Sequence, residues 1–323
     1  MFQITFLGTS ASAPSFHRGL SSQVIQHNEH RFLVDCGEGT QRQILRSGLG
    51  FKGLNRILIT HSHLDHILGL GGLVSTLARW ETMDEMVIMG SARTLERIDD
   101  LLFKVVFRGV RPPIDVRLEA ISPGVIFTNK DFSVSAFDVT HRGAASLGYL
   151  FEEASRRPFL TDKADKLNIP PGPWRGQLVR GQVVTLPDRR EIQPDDVLGP
   201  VREGVRIALV GDTGRTDNLL PYLRGLDALV VESTYLESEI EMARQFGHLT
   251  AQQAASFATD ADIKHLILTH LSRRYRERDV LTEARANFNN VRVARDFDSY
   301  EIRRGECKRM EPVSKNFHHR EEN

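Results

Sequence analysis

The stretch Arg56-Ile57-Leu58-Ile59-Thr60-His61-Ser62-His63-Leu64-Asp65-His66 decides how this chain is read. Its first half is short, apolar and β-branched, which predicts a strand. Its second half crowds His61, His63, Asp65 and His66 together. Imidazole nitrogens and a carboxylate suit zinc and related divalent ions, and catalytic sites mix such ligands while keeping a position open for water. A strand whose carboxyl-end loop carries a metal site is therefore predicted. The alternative is a solvated His/Asp loop, and the density of ligands directly behind an apolar run argues against it.

Working outward, four further segments repeat the pattern of an apolar strand ending in a metal-competent group. Phe132–Thr140 ends at His141, Val205–Gly211 at Asp212, His265–Thr269 at His270, and Ala228–Glu232 near Glu232 and Ser233. Functional loops collect at the carboxyl ends of strands in open α/β arrangements, so ligands scattered along the sequence can converge on one sheet edge. Five histidines and two aspartates are too many for one four-coordinate ion and suit two metals sharing a carboxylate. His17, His27, His30, His265, His318 and His319 lack strand-end placement and read as structural or surface residues. His248, just before a probable helix N-cap at Thr250, can be structural or a general acid near the metals.

Bulk properties bound the rest. With 323 residues the chain can bury a substantial core, and 42 basic against 42 acidic residues exclude a generally cationic protein. Any nucleic-acid contact must come from a local patch. Cys36 and Cys307 are the only cysteines, which fits neither a disulfide framework nor a thiolate metal site. Cys36 reads as a small buried hydrophobe. The start Met1–Gly8 lacks the basic leader and long apolar region of a signal peptide, and no run has the length of a membrane span, so a soluble cytoplasmic protein is expected.

Strands are predicted at Gln3–Leu7, Ser22–Gln26, Arg31–Asp35, Arg56–Thr60, Phe132–Val139, Gly148–Glu152, Arg206–Val210, Ala228–Glu232, His265–Thr269 and Val291–Ala294. Helices are predicted at Thr40–Ser47, Ile67–Arg79, Thr94–Val105, Ala251–Thr259 and Val280–Asn287. The mixture predicts a layered α+β or α/β sandwich. Residues 155–190 stand apart as turn-rich, with little apolar periodicity and eight Lys/Arg against three Asp. Extending that window to residue 196 adds three acids, so the basic excess depends on where the segment ends. A disordered tail is expected from Lys308.

Gly8-Thr9-Ser10, Asp35-Cys36-Gly37-Glu38-Gly39 and His61–His66 resemble the metallo-β-lactamase superfamily. Within it the chain resembles the ribonuclease Z (tRNase Z) family in its short form, over about residues 1–305. Asn168–Gly176, with Pro170-Pro171-Gly172-Pro173, resembles the flexible arm by which that family grips tRNA. His248-Leu249-Thr250 resembles its His-x-Thr motif, and His270-Leu271-Ser272-Arg273-Arg274-Tyr275 its last ligand. The resemblance implies a four-layer αβ/βα sandwich, a single domain over 1–307 with an inserted arm at about 155–190. It implies one zinc ion on His61, His63 and His141, a second on Asp65, His66 and His270, and Asp212 bridging them. Asp65 becomes the proton acceptor and His248 the proton donor. Pro171, Gly172, Pro173, Ser272 and Arg274 become candidate RNA contacts, and precursor tRNA the substrate of a homodimer. Many members carry Pro-x-Lys-x-Arg-Asn near the start. Here Pro14 and Arg18 match, while Phe16 and Gly19 do not, so rejection of tRNA ending in CCA does not carry over. The rivals are a small-molecule hydrolase on the same scaffold and a metal-free RNA-binding protein.

Overall fold

Strands covered on both faces read as continuous apolar runs rather than alternating ones. Phe2–Gly8, Ser22–His27 and His30–Val34 are of this kind, with nearly every residue buried. The computed structural model of the protein describes residues 1–80, 83–110 and 112–311. They form two compact units: Met1–Asn129 with Ser133–Glu152 and Val205 onward, and Lys130–Phe132 with Glu153–Gly204.

Among the described residues the larger unit holds two mixed sheets. The first runs, in spatial order, Glu306–Arg309, Ser299–Arg303, Phe2–Gly8, Ser22–His27, His30–Val34, Arg56–Leu58, Glu85–Gly90 and Asp115–Ala120. The last four are mutually parallel. The second runs Val291–Val293, Leu266–Thr269, Ala228–Glu232, Arg206–Leu209, Ala144–Glu153, Phe132–His141 and Gly124–Thr128, the first four parallel. Phe132–His141 turns into its neighbour at Arg142 and Gly143, both in the left-handed region (φ 42° and 69°), as a tight hairpin requires. His141 therefore ends a strand that points the same way as the parallel set.

Helices Thr40–Ser47, Leu70–Trp80 and Ala92–Asp99 bury Ile44, Leu73, Val74, Leu77, Leu95 and Ile98 against the first sheet. Ala251–Asp260 and Glu277–Arg285 bury Ala254, Ala255, Ala258, Val280 and Ala284 against the second. Between the sheets Phe151 lies edge-on to Phe2 and Phe32, at centroid distances of 6.0 and 5.6 Å. Tyr149 donates to the Ile59 carbonyl (2.6 Å) and Leu147 N–H to that of Thr60 (2.8 Å). These bonds fasten the second sheet directly to the loop carrying His61–His66. The arrangement is the helix–sheet–sheet–helix sandwich of the metallo-β-lactamase fold.

Several expectations need correction. Residues 155–190 belong to a unit reaching from Glu153 to Gly204, with regular elements: helices Thr161–Lys166, Pro173–Val179 and Pro194–Val197, and a ribbon pairing Val184–Thr185 with Glu191–Ile192. Its core is Ala164, Ile169, Leu178, Val184, Leu186, Ile192 and Val197. Each element contributes only one of these, and Ile169 and Leu186 lie in the connections, too few to give a visible period. The tail expected from Lys308 does not begin there, because Gly305 (φ 72°) turns the chain back and Lys308 and Arg309 pair with Glu301 and Tyr300. The remainder of that expected segment, 312–323, lies outside the described residues. Strands 85–90, 115–120, 124–128 and 299–303 were not predicted; Asp115–Ala120 is a largely exposed edge strand with little apolar signal. Among the described residues no helix is long and apolar enough to cross a membrane.

Phe151 is fully buried between the two sheets. Phe151→Ala should lower unfolding free energy by about 3–5 kcal/mol, read from the denaturant midpoint at unchanged slope.

Candidate metal centre

The site lies where the carboxyl ends of both parallel sets meet. His61, His63, Asp65 and His66 follow Arg56–Leu58, Asp35 follows His30–Val34, Asp212 follows Arg206–Leu209, His141 ends its strand, and His270 follows Leu266–Thr269. Asp35 and His270 adopt left-handed backbone (φ 59° and 55°), which re-aims each side chain at a strand end at a conformational cost. Close backbone approach makes this possible. A Cβ on Gly69 would sit 2.0 Å from the Gly37 carbonyl oxygen, and one on Gly211 2.9 Å from Thr60 Oγ1.

Asp212 is buried between two ligand sets. Its Oδ2 faces His61 Nε2 at 3.6 Å and His141 Nε2 at 3.8 Å. Its Oδ1 faces His66 Nε2 at 3.4 Å and His270 Nε2 at 3.3 Å. His63 Nδ1 meets His141 Nε2 at 3.3 Å, and Asp65 Oδ2 lies 3.4 Å from His270 Nε2 and 3.7 Å from His66 Nε2. The ligand atoms of His61, His63, His141 and Asp212 all fall within 4.8 Å of one another, as do those of Asp65, His66 and His270.

Hydrogen bonds behind the rings orient the donors. Thr60 Oγ1 has one proton and directs it to the acceptor-only carboxylate of Asp35 (2.9 Å), so His61 must donate Nδ1–H to Thr60 (3.0 Å). His66 donates Nδ1–H to Asp35 at 2.7 Å and His141 to the Gly247 carbonyl at 2.7 Å. Thr234 Oγ1 gives its proton to Glu232 (2.5 Å) and so accepts from His270 Nδ1 at 2.9 Å. Four Nε2 lone pairs are thereby turned inward, the arrangement that outer partners impose on metal-binding histidines. His61 Nε2, His66 Nε2 and Asp212 Oδ1 are buried without a hydrogen-bond partner. Orphaned acceptors of this kind, facing one another across a carboxylate, fit a cation.

The electrostatics agree. Burial and then the neighbouring imidazole of His66 push His61 well below its usual pKa; burial and His141 lower His63, and burial lowers His141. Neutral imidazole is the ligand form. Burial opposes the charge on His66, yet Asp212 and Asp35 raise it well above the usual value. Burial likewise works against ionised Asp212, and His270, His66 and His61 overcome it. The centre draws positive charge.

His248 donates Nδ1–H to Glu232 Oε1 at 2.9 Å and lies 4.0 Å from Asp212 Oδ2. Burial would lower its pKa, but the charge and hydrogen bond of Glu232 lift it to about 9. Glu232, which reads in the sequence as a metal-competent strand end, falls in none of the ligand groups among the described residues. It accepts from Thr213 N–H, Thr234 and His248 instead. Asp35, Thr60 and Thr234 were missed as orienting residues; the strand-end position of Asp35 was the available signal. Arg274 is exposed and engaged with Glu239 at 3.0 Å, and Ser272 Oγ accepts the Arg274 N–H at 3.4 Å. Pro171, Gly172 and Pro173 are exposed at the start of a helix in the smaller unit.

Residues 2–161 match the family described as Anti-Pycsar protein Apyc1, and residues 174–271 the Beta-lactamase superfamily domain. The ribonuclease Z of Bradyrhizobium diazoefficiens is 45% identical over 298 residues, covering 92% of this chain and 99% of that protein. That of Archaeoglobus fulgidus is 38% identical, covering 94% and 98%. The solved structure of human tRNase Z, short form, aligns with a TM-score of 0.66 at 25% identity, over 93% of this chain and 99% of that one. At this identity over nearly its whole length, this chain belongs to the ribonuclease Z family.

Proposed function

We propose that the protein is a zinc-dependent endoribonuclease that removes the 3′ trailer from precursor tRNA by hydrolysis next to the discriminator base. The products are a 3′-hydroxyl on the tRNA and a 5′-phosphate on the trailer. The observation that carries the hydrolytic reading is Asp212, whose two oxygens face two separate histidine sets. The substrate is inferred from relatives named ribonuclease Z that match nearly the whole chain. In this reading His61, His63 and His141 would hold one ion and Asp65, His66 and His270 the other, with the Asp212 carboxylate within reach of both sets.

A pair of zinc ions supplies Lewis-acid charge for a phosphodiester and lowers the pKa of water toward neutrality. The chain's own groups handle the protons. Asp65 is kept ionised: burial raises its pKa, but His270 and His66 beside it depress it. In this reading it accepts a proton from attacking water, and Ser12 N–H holds its Oδ2 at 2.9 Å. Glu232 keeps His248 protonated at neutral pH and occupies Nδ1, which leaves Nε2–H to donate to the departing 3′ oxygen.

The arm of the smaller unit meets RNA in the same reading through its exposed cations, since phosphate contacts dominate such binding. Arg157, Arg175 and Arg190 are paired with Asp195, Asp165 and Asp188. Arg156, Lys163, Lys166, Arg180 and Arg189 are exposed and make no ion pair among the described residues, so they are the candidates, beside the Pro171–Pro173 tip. The homodimer that the family resemblance implies and a cytoplasmic location belong to the same reading.

Mapping of cleavage ends on precursor tRNA, before and after chelation and zinc readdition, tests the proposal. Metal-dependent cuts after the discriminator base are expected; hydrolysis of small diesters with untouched tRNA would favour the small-molecule reading. Asp35→Asn should weaken metal retention roughly 10- to 100-fold in a chelator competition, because it disturbs the anchor of His66 and Thr60. The acid form of His248 is present below its pKa and lost as pH rises through it. Glu232→Gln removes the charge that raises that pKa, so the alkaline limb of the kcat profile should move to lower pH.

A further inference from the structure

Phe16 is 96% exposed, on a loop that the fold holds at both ends. At one end Ser12 N–H donates to Asp65 Oδ2 at 2.9 Å. At the other, the Arg18 guanidinium is turned inward. It donates to Thr9 Oγ1 (2.6 Å) and the Ala294 carbonyl (2.6 Å) and reaches Glu277 at 3.2 Å. The turn between closes through Ser15 N–H to the Arg18 carbonyl (2.8 Å) and Arg18 N–H to Ser15 Oγ (3.0 Å). His17 stands edge-on to Phe16, with centroids 4.8 Å apart at 86°.

The loop thus fixes its backbone and leaves an aromatic face bare. Three residues separate Ser12 from Phe16, so the Phe16 Cα lies within about 14 Å of that of Ser12, the residue that touches Asp65. Residues 12–18 carry no carboxylate that would repel a polyanion. A flat apolar face beside a phosphodiester-cleaving centre suits a nucleobase, since every base presents a π-face to an aromatic ring. We propose that Phe16, buttressed by His17, is a stacking platform for an unpaired base of the RNA close to the scissile bond. The proposal rests on the endoribonuclease reading above. Arg18, although it matches the family loop, is a strut for this platform rather than an RNA contact.

The test compares wild type, Phe16→Ala and Phe16→Trp on precursor tRNA with intact bases and with single abasic nucleotides placed around the cleavage site. Phe16→Ala should raise KM roughly 5- to 100-fold, the range of one lost base stack, and Phe16→Trp should restore it. One abasic position should cost wild type a similar factor and cost Phe16→Ala nothing further, the signature of two groups that touch. Unchanged cleavage of intact tRNA by Phe16→Ala would overturn the platform. So would a defect that persists in full at every abasic position, which would point to a contact other than base stacking, such as a protein partner or loop structure. Wild type that fails to cut precursor tRNA would remove the endoribonuclease reading and this inference together, so the two failures are distinguishable.

Discussion

The structure is organised around a carboxylate that elementary electrostatics disfavours. Asp212 is 2% exposed, and its Oδ1 has no hydrogen-bond partner. Moving an ion of this kind out of water costs several kcal/mol unless charge and hydrogen bonds compensate. Compensation must come from other strands, because its own loop supplies too few groups. Two sheets therefore have to present their carboxyl edges to one another, with His61, His66, His141 and His270 delivered within 4 Å. The bonds from Tyr149 and Leu147 to the Ile59 and Thr60 carbonyls tie the edges together directly behind these ligands.

Orientation is as constrained as position. An imidazole offers a lone pair on one nitrogen only when its other nitrogen carries the proton, so each ring needs an acceptor at its back. Asp35 serves two rings at once, His66 directly and His61 through Thr60. Glu232 does the same on the other sheet, serving His248 directly and His270 through Thr234. The two halves of the centre thus use one device: a buried acid, a threonine relay and two histidines. A mixed sheet of apolar strands makes this feasible because its strand ends are held rigidly enough to support left-handed backbone at Asp35 and His270.

Legibility in the sequence follows from this construction. A strand end announces itself through the apolar run before it, so His61–His66, His141, Asp212 and His270 could be picked out, and the sandwich with them. Asp35 and Glu232 obey the same rule, but nothing in a lone sequence separates an acid that binds a cation from one that binds an imidazole. The threonines carry no signal, since a hydroxyl after a strand is commonplace. Asp115–Ala120 escaped because an edge strand exposes most of its side chains and loses the apolar pattern. The smaller unit escaped because its core draws one residue from each of five short elements and two, Ile169 and Leu186, from the connections, which leaves no period to detect.

Charge in that unit shows why composition alone misjudges a segment proposed to bind RNA. Over Glu153–Gly204, nine Lys/Arg stand against eight Asp/Glu, so the full unit carries almost none of the excess seen in the narrower 155–190 window. Net charge is the wrong quantity, however. Arg157, Arg175 and Arg190 each meet a carboxylate within 2.7 Å, and the same three arginines bond backbone carbonyls at Gly199, Ile169 and Leu167. These cations brace loops, and their acids are neutralised in doing so. What a phosphate backbone would meet is the remainder: Arg156, Lys163, Lys166, Arg180, Arg189 and Arg202, all exposed. Counterion release scales with phosphates neutralised, not with formal charge, so a nearly neutral unit can still bind RNA in a salt-dependent way.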